Sequence, residues 1–183
     1  MTAPSAWVRR WAPLVRKGGA VLDVACGGGR HARFFAAAGH PLDAVDRDAE
    51  AVAALAGVPG VTALCADIEG GPWPYAGRDY AAVVVTNYLH RPLFPQLLAA
   101  LAPGGLLIYE TFATGNEAFG RPANPDFLLR PRELLEAVGT KMHVLAYEHL
   151  YEAQPKPAVV QRICAVITAD LETHQSPYFF FNS

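Results

Sequence analysis

The sequence predicts a single α/β domain, a mostly parallel sheet doubly wound by helices on both faces, and three observations carry that expectation. Segments of strand-like and helix-like apolar periodicity alternate from Ala20 onward. The first strand runs straight into a glycine-rich turn, Cys26-Gly27-Gly28-Gly29, which opens a helix. Further on, Ala81-Ala82-Val83-Val84-Val85 is apolar at every position, as in a strand covered on both faces.

Each element has its own signal. Trp7, Val8, Trp11, Leu14 and Val15 recur at helical spacing behind a Ser5 cap, and Pro13 should divide this N-terminal helical segment, residues 1–19. A strand over Ala20 to Ala25 precedes the glycine turn, and the helix from Arg30 to Ala38 stops at Gly39. Leu42 to Val45 is a second strand, after which Asp48 caps a helix through Ala56 that Gly57 closes. Val61 to Ala66 is the third strand, Gly70 to Pro74 a loop, and Tyr80 to Thr86 the fourth strand. A helix from Pro92 to Leu101 leads through Pro103-Gly104-Gly105 into a fifth strand, Leu106 to Thr111. There the rhythm breaks. Phe112 to Leu129 is rich in Gly, Asn and Pro, and so long a connection in a compact domain is usually a lid or binding loop. Pro131 starts a short helix ending near Gly139, and Met142 to Tyr151 with Pro157 to Ile167 read as an antiparallel hairpin at the sheet edge. Asp170 to Ser183 forms a C-terminal tail.

Composition narrows the function. A chain of 183 residues suits one domain, residues 1–183, able to bury roughly 70% of the surface its unfolded form exposes. With 52% hydrophobic and 17% charged residues it is neither disordered nor fibrous. A net charge of −2 removes any broad electrostatic case for nucleic acid, and the cluster Arg9, Arg10, Arg16 and Lys17 reads first as the wet face of a helix. Cys26, Cys65 and Cys164 are odd in number and unevenly spaced, which suits neither a disulfide framework nor zinc and points to a reducing compartment. His31, His40, His143, His149 and His174 have no metal-binding spacing, so no metal is expected. Met1 to Trp7 lacks the apolar core of a signal peptide, and nowhere do about 18 apolar residues run together as a membrane span requires. The expected location is the cytoplasm.

The glycine turn lets bare backbone approach a ligand. Gly27-x-Gly29-x-x-Ala32 satisfies the dinucleotide fingerprint, and Asp46 ends the second strand at the distance expected of a ribose-binding acid. A tight turn without a ligand would read the same way. Three features separate the candidates. Asp23 sits inside the first strand where a nicotinamide fold usually has an apolar residue, and its burial is costly unless a positive or hydrogen-bonding group meets it. The ammonium of an amino-acid-bearing cofactor is such a group. Asp67 followed by Ile68 offers a carboxylate to an exocyclic amine and an apolar side chain to an adenine ring. Pro103-Gly104-Gly105 precedes the fifth strand, and a terminal hairpin follows the parallel units.

With Leu22-Asp23-Val24-Ala25-Cys26-Gly27-Gly28-Gly29, Val45-Asp46, Ala66-Asp67-Ile68 and Leu101-Ala102-Pro103-Gly104-Gly105 in that order, the chain resembles the class I S-adenosylmethionine-dependent methyltransferases over about Ala20 to Ile167. It is most similar to small stand-alone bacterial enzymes of the tellurite-resistance type. The resemblance implies a Rossmann-like seven-stranded sheet with the last strand antiparallel, and S-adenosylmethionine lying across the tips of the first, second and fourth strands. It implies that Asp23, Ala25, Cys26, Gly27 and Gly29 line the methionine part, Asp46 holds the ribose hydroxyls, and Asp67 with Ile68 holds the adenine. Ala25 stands where many members have glycine. Arg30 is placed to pair the cofactor carboxylate, and Arg47 to stack near the adenosine, with solvent as the plain alternative for each. Cys26 has no base beside it in sequence, so a nucleophilic role is not expected.

A sulfonium methyl is already activated, so in-line transfer depends on alignment, exclusion of water and, for some acceptors, removal of a proton. Candidate groups cluster in Thr86-Asn87-Tyr88-Leu89-His90-Arg91 and Tyr109-Glu110-Thr111-Phe112. The first set lacks the Asn-Pro-Pro-aromatic pattern of enzymes that methylate amide or exocyclic amino nitrogens. Asn87 and Tyr88 are expected to position the reactants, Asn87 also touching the cofactor; His90 is a candidate general base that Glu110 orients, or Glu110 acts alone. The plain readings are a surface histidine opening the next helix and a strand-end carboxylate satisfied by backbone donors. Asn116, Phe119, Arg121, Asn124, Asp126 and Phe127 make Phe112 to Leu129 the expected substrate cover. The expected partner is a small-molecule methyl acceptor. An RNA or protein methyltransferase, an NAD-dependent oxidoreductase and a non-catalytic cofactor-binding module are the alternatives.

Overall fold

Strands and helices alternate as the periodicity requires. The computed structural model describes residues 3–168, so the expected C-terminal tail, 170–183, lies outside the described residues. Seven strands are found among them: β1 (Val21–Val24), β2 (Leu42–Asp46), β3 (Val61–Cys65), β4 (Tyr80–Thr86), β5 (Leu101–Phe112), β6 (Met142–Glu152) and β7 (Ala158–Ile167). They form one sheet in the order β3-β2-β1-β4-β5-β7-β6. The pairs from β3 to β5 are parallel, and β7 runs antiparallel to both β5 and β6. The last strand is therefore the antiparallel one, and the expected edge hairpin is the β6–β7 pair.

Helices α1 (Ala6–Trp11), α2 (Arg30–Ala37), α3 (Ala49–Ala53), α4 (Phe94–Ala99) and α5 (Glu133–Val138) cover both faces. The period of two along each strand sorts the core. Val21, Ala44, Val84 and Ile108 meet Trp7 and Val8 of α1, Phe35 of α2 and Leu55 beyond α3. Leu22, Val45, Val83 and Leu107 meet Leu97 of α4 and Leu134 and Val138 of α5. Ser5 caps α1 through hydrogen bonds from the Trp7 and Val8 amides. Pro13 ends the α-helical run, and Ala12–Leu14 form a 3-10 turn.

Several boundaries differ from the sequence expectation for local reasons. Pro92 falls in a 3-10 turn, Arg91–Leu93, so α4 begins only at Phe94, and it ends at Ala99 because Leu101 already pairs with Tyr80. β5 thus starts five residues before the expected Leu106, with Ala102 to Gly105 bulging between the Tyr80–Leu101 and Ala82–Leu106 pairs. Gly105 permits the bulge: a Cβ there would lie 2.8 Å from the carbonyl oxygens of both Ala102 and Tyr80. α3 is also short, ending at Ala53, with Asp48 capping it through the Glu50 and Ala51 amides.

Phe112 to Leu129 is an internally tied loop rather than an irregular one. Its ends are joined by an Ala113–Leu129 bridge and by hydrogen bonds from the Leu129 amide to Phe112 O and from the Thr114 amide to Leu129 O. It also contains two 3-10 turns, Asn116–Ala118 and Pro125–Phe127. Loops whose ends meet and whose interior packs on itself hold their shape without strand or helix.

Alternation sends Glu110 to the face that α1 covers, where it pairs with Arg162 of β7. Arg162 also holds Glu148, at 3.2 Å, and Glu152, both of β6, and Arg10 of α1 reaches Glu148 at 3.3 Å. Glu110 is 8% exposed, so its partner cannot be replaced by water. Arg162→Met should lower stability by about 3–5 kcal/mol by stranding a buried carboxylate. Arg10→Ala, whose side chain is 60% exposed, should cost at most about 1 kcal/mol. Urea denaturation of both variants measures the difference.

Candidate active site

The carboxyl ends of β1 to β4 open into two adjoining cavities of about 400 and 620 Å³ that share Ala25 and Asn87. Both volumes fall within the range of small-ligand sites. Asp46, Arg47, Ala66, Asp67 and Ile68 line one end, and Cys26, Gly27, Gly28 and Arg30 the other. This brings most of the expected cofactor residues into one cleft at the strand tips.

The turn that builds the cleft is held in left-handed backbone. Ala25 has φ 52°, Gly27 φ 50°, Gly29 φ 72° and, at the tip of the neighbouring β4, Asn87 φ 55°. Asparagine tolerates this region, whereas alanine stores about 1–2 kcal/mol of strain that glycine would not. Gly27 and Gly28 face open space, with no atom within 4 Å of an added Cβ. Gly29 does not. A Cβ on Gly29 would lie 2.3 Å from Leu55, so this glycine exists for packing at the start of α2, and Gly28 takes the cavity-lining place expected of it.

The three carboxylates expected to hold the cofactor sit differently. Asp46 accepts the Gly27 amide at 2.7 Å on Oδ2 and the Asp48 amide at 2.9 Å on Oδ1, using two of about four acceptor positions. Asp67 receives the Glu69 and Gly70 amides at 2.9 and 3.1 Å, which hold its carboxyl below the usual range, while Ile68 lies buried beside it on the cavity wall. Asp23 lies beneath the turn, 1% exposed, rather than on the wall of either cavity. Burial raises its pKa to about 7 against the opposing Ala32 amide and Arg30 charge, and its Oδ2 has no hydrogen-bond partner. Cys26 lines the cleft, but burial together with Asp23 and Asp46 pushes its thiol up to about 12, so it stays protonated.

His31 carries no signal of a role in its sequence context. Its Nε2 accepts the Ser5 amide at 3.1 Å, which requires a neutral ring with the proton on Nδ1, 3.4 Å from Thr86 Oγ1. Burial lowers its pKa to about 4. The ring thereby ties the segment before α1 to the tip of β4, and Pro4 and Thr86 become part of the second cavity's wall.

The expected catalytic groups divide. Asn87 lines both cavities and Tyr88 the first, where the Tyr88 hydroxyl is buried and faces Glu69, its pKa raised by burial and by the charge and hydrogen bonding of that carboxylate. His90 stands nearby with Nδ1 3.8 Å from Glu69 Oε2. Glu110 neither orients His90 nor reaches the cleft, because Arg162 engages it on the opposite face. In the covering loop, Phe112, Pro122 and Phe127 line the first cavity. Asn116 is instead an internal brace, bonded to Pro122 O and the Val159 amide. Asn124 caps the second 3-10 turn, Phe119 stacks on Tyr151, and Arg121 faces an outer recess with Asn124. Arg91 fixes the loop from behind, donating to Glu133 and to the carbonyls of Asp126 and Leu128.

Comparison with known proteins bears on the fold. Residues 21–105 match the profile of a methyltransferase domain family. No curated protein matches the chain by sequence. Among solved structures it is similar to TehB from Haemophilus influenzae, with TM-score 0.78 and 17% identity over 92% of this chain and 64% of that one. The chain thus spans less than two thirds of TehB. An S-adenosylmethionine-dependent methyltransferase from Mesorhizobium loti gives TM-score 0.68 and 17% identity over 88% and 98% of the two chains. The glycopeptide N-methyltransferase MtfA complexed with S-adenosylhomocysteine gives 0.64 and 18% over 91% and 90%. These likenesses establish the shared fold. Among the described residues, no helix is long and apolar enough to cross a membrane, and no group of three or more His, Cys, Asp or Glu side chains is placed to hold a metal.

Asp23 and His31 give stability opposite dependences on pH. The folded-state pKa of Asp23 is raised, so the native state binds its proton first and stability rises as pH falls from about 7 towards 4. That of His31 is lowered, so the unfolded state binds the proton first and stability drops as pH falls from about 6.5 to 4. Relative to the parent, His31→Leu should gain stability between pH 7 and pH 5, and Asp23→Asn should lose it, each by on the order of 2 kcal/mol. Chemical denaturation at the two pH values checks the signs.

Proposed function

We propose that the chain is a class I S-adenosylmethionine-dependent methyltransferase that transfers the methyl group to a small-molecule acceptor by in-line displacement. The supporting observation is the tied loop: Phe112, Pro122 and Phe127 roof a cavity of about 400 Å³ whose other end is walled by Asp46, Asp67 and Ile68, so an acceptor under the roof would share that enclosure with the adenosine. A roof that close suits a small molecule better than a duplex or a folded protein surface. Of the basic N-terminal cluster, Arg10 is engaged within the chain, stacking 4.9 Å over Trp11 and pairing with Glu148.

The residues present fit the cofactor. Gly27 and Gly28 leave space for its methionine portion, Arg30 stands beside that space, and the open acceptor positions of Asp46 suit two ribose hydroxyls. Ile68 and Ala66 provide an apolar wall for adenine, with Asp67 and Arg47 at its edge. The unpartnered Oδ2 of Asp23 leaves a buried hydrogen-bonding atom beneath the methionine end. When bound, S-adenosylmethionine supplies a methyl group on a positively charged sulfur that leaves as a neutral thioether. Asn87 borders both cavities, which fits it to align the two reactants, while the roof excludes water. These assignments for Asp23, Ala25, Cys26, Gly27, Arg30, Asp46, Arg47, Asp67, Ile68 and Asn87 form the proposed cofactor site.

Asp46→Ala should weaken S-adenosylmethionine binding by roughly 1–3 kcal/mol through lost charged hydrogen bonds. Calorimetry on the folded variant tests this, and unchanged affinity would remove Asp46 from the site. Phe127→Ala should behave in the opposite sense, leaving cofactor affinity intact while raising the KM of whichever acceptor a labelled-methyl screen identifies. Equal loss of both would show that the roof is not specific to the acceptor.

A further inference from the structure

With Glu110 withdrawn to the far face, His90 still has a carboxylate beside it. Glu69, in the turn after β3, brings Oε2 to 3.8 Å from His90 Nδ1 and lines the same cavity as Tyr88, Leu89, Phe112 and Phe127. The Tyr88 hydroxyl is buried there and faces the Glu69 carboxylate. Of the cations near this half of the cleft, Arg91 gives its donors to Glu133, Asp126 and Leu128, and Arg121 lies in the recess outside Pro122 and Phe127. Arg47 lines the same cavity, where its charge already acts on the Asp67 carboxylate and on Tyr88.

Resting on the small-molecule reading above, we propose that Glu69, backed by His90, is the proton acceptor for an apolar, ring-sized molecule whose nucleophile is a weakly acidic O–H or S–H group. The aromatic walls favour a ring. An oxyanion would need guanidinium or ammonium partners and would instead meet a carboxylate. An amine beside that carboxylate is held as its ammonium form, which has no lone pair with which to attack. For O–H or S–H the charges close. The nucleophile's lone pair forms the bond to the methyl carbon as the carbon–sulfur bond breaks, with that electron pair remaining on the cofactor sulfur. The O–H or S–H proton passes to the Glu69 carboxylate. One positive and one negative charge disappear together, giving a methyl ether or thioether, a neutral thioether and a protonated carboxyl. His90, with its side chain 27% exposed, stands between Glu69 and solvent for the return of that proton.

Binding and turnover test the inference separately. The full chain saturated with S-adenosylhomocysteine, titrated calorimetrically with phenol, thiophenol, benzylamine and selenite, should bind the first two and not selenite. With S-adenosylmethionine, Glu69→Gln should lower kcat for phenol by about a hundredfold, with KM and cofactor affinity changed by less than about twofold. It should also remove the acidic limb of the pH profile, and the loss should be smaller for thiophenol, which ionises more readily. Binding and methylation of selenite, preferred methylation of benzylamine, or an unchanged kcat and pH profile in Glu69→Gln would each overturn the inference while leaving the small-molecule reading in place. Transfer of labelled methyl only into protein or RNA of a cell extract would overturn both.

Discussion

The hydrogen bond from the Gly27 amide to Asp46 Oδ2 is the contact on which the cleft depends. It is charge-assisted, and it joins the turn leaving β1 to the tip of β2. The Cys26 amide reinforces the junction by donating to Val45 O, continuing the parallel pairing one step past the end of β1. Leu55 closes the other side of the turn by filling the space above Gly29. Between them these contacts hold Ala25 and Gly27 in left-handed backbone, whose strain a free loop would release. The cradle therefore has its shape before anything binds in it.

Burial around this cradle keeps its titratable groups neutral or restrained. Asp23 and His31 are each 1% exposed, and desolvation moves them in opposite directions because one loses its charge by gaining a proton and the other by losing one. Among the carboxylates on the cavity walls, Asp46 and Asp67 are held by backbone amides. The cleft is thus lined by fixed dipoles and partly solvated carboxylates rather than by a buried naked charge.

The fold was legible wherever one physical cause dominated. The two-sided apolarity of Tyr80 to Thr86 located the central strand, and Ser5 and Asp48 marked helix starts because their side chains cap adjacent amides. Gly28 and Gly29 could not be told apart, since a glycine required for packing on Leu55 and one left bare for a ligand are the same letter. Glu110 sat beside the right strand end on paper, but the facing of a strand residue is decided by the pleat, and its partner Arg162 lies 52 positions away. Glu69 and His90 were invisible as a pair for the same reason: their proximity comes from β3 and β4 ending at the same side of the sheet, not from spacing. His31 offered only its place in the first turn of α2, and its bond to Ser5 required knowing where the N-terminal helix folds back.

The covering loop is secured at its roots and free at its crest. Ala113 pairs with Leu129, Asn116 bonds to Val159, and Arg91 grips the carbonyls of Asp126 and Leu128, whereas Phe119 and Phe127 are about half exposed. Residues between the roots carry little of the domain's packing and form the roof of the first cavity. Substitutions, and even insertions, in that crest can accumulate without disturbing the cradle, so what the roofed cavity admits can diverge among descendants of this chain while the turn beneath it stays fixed.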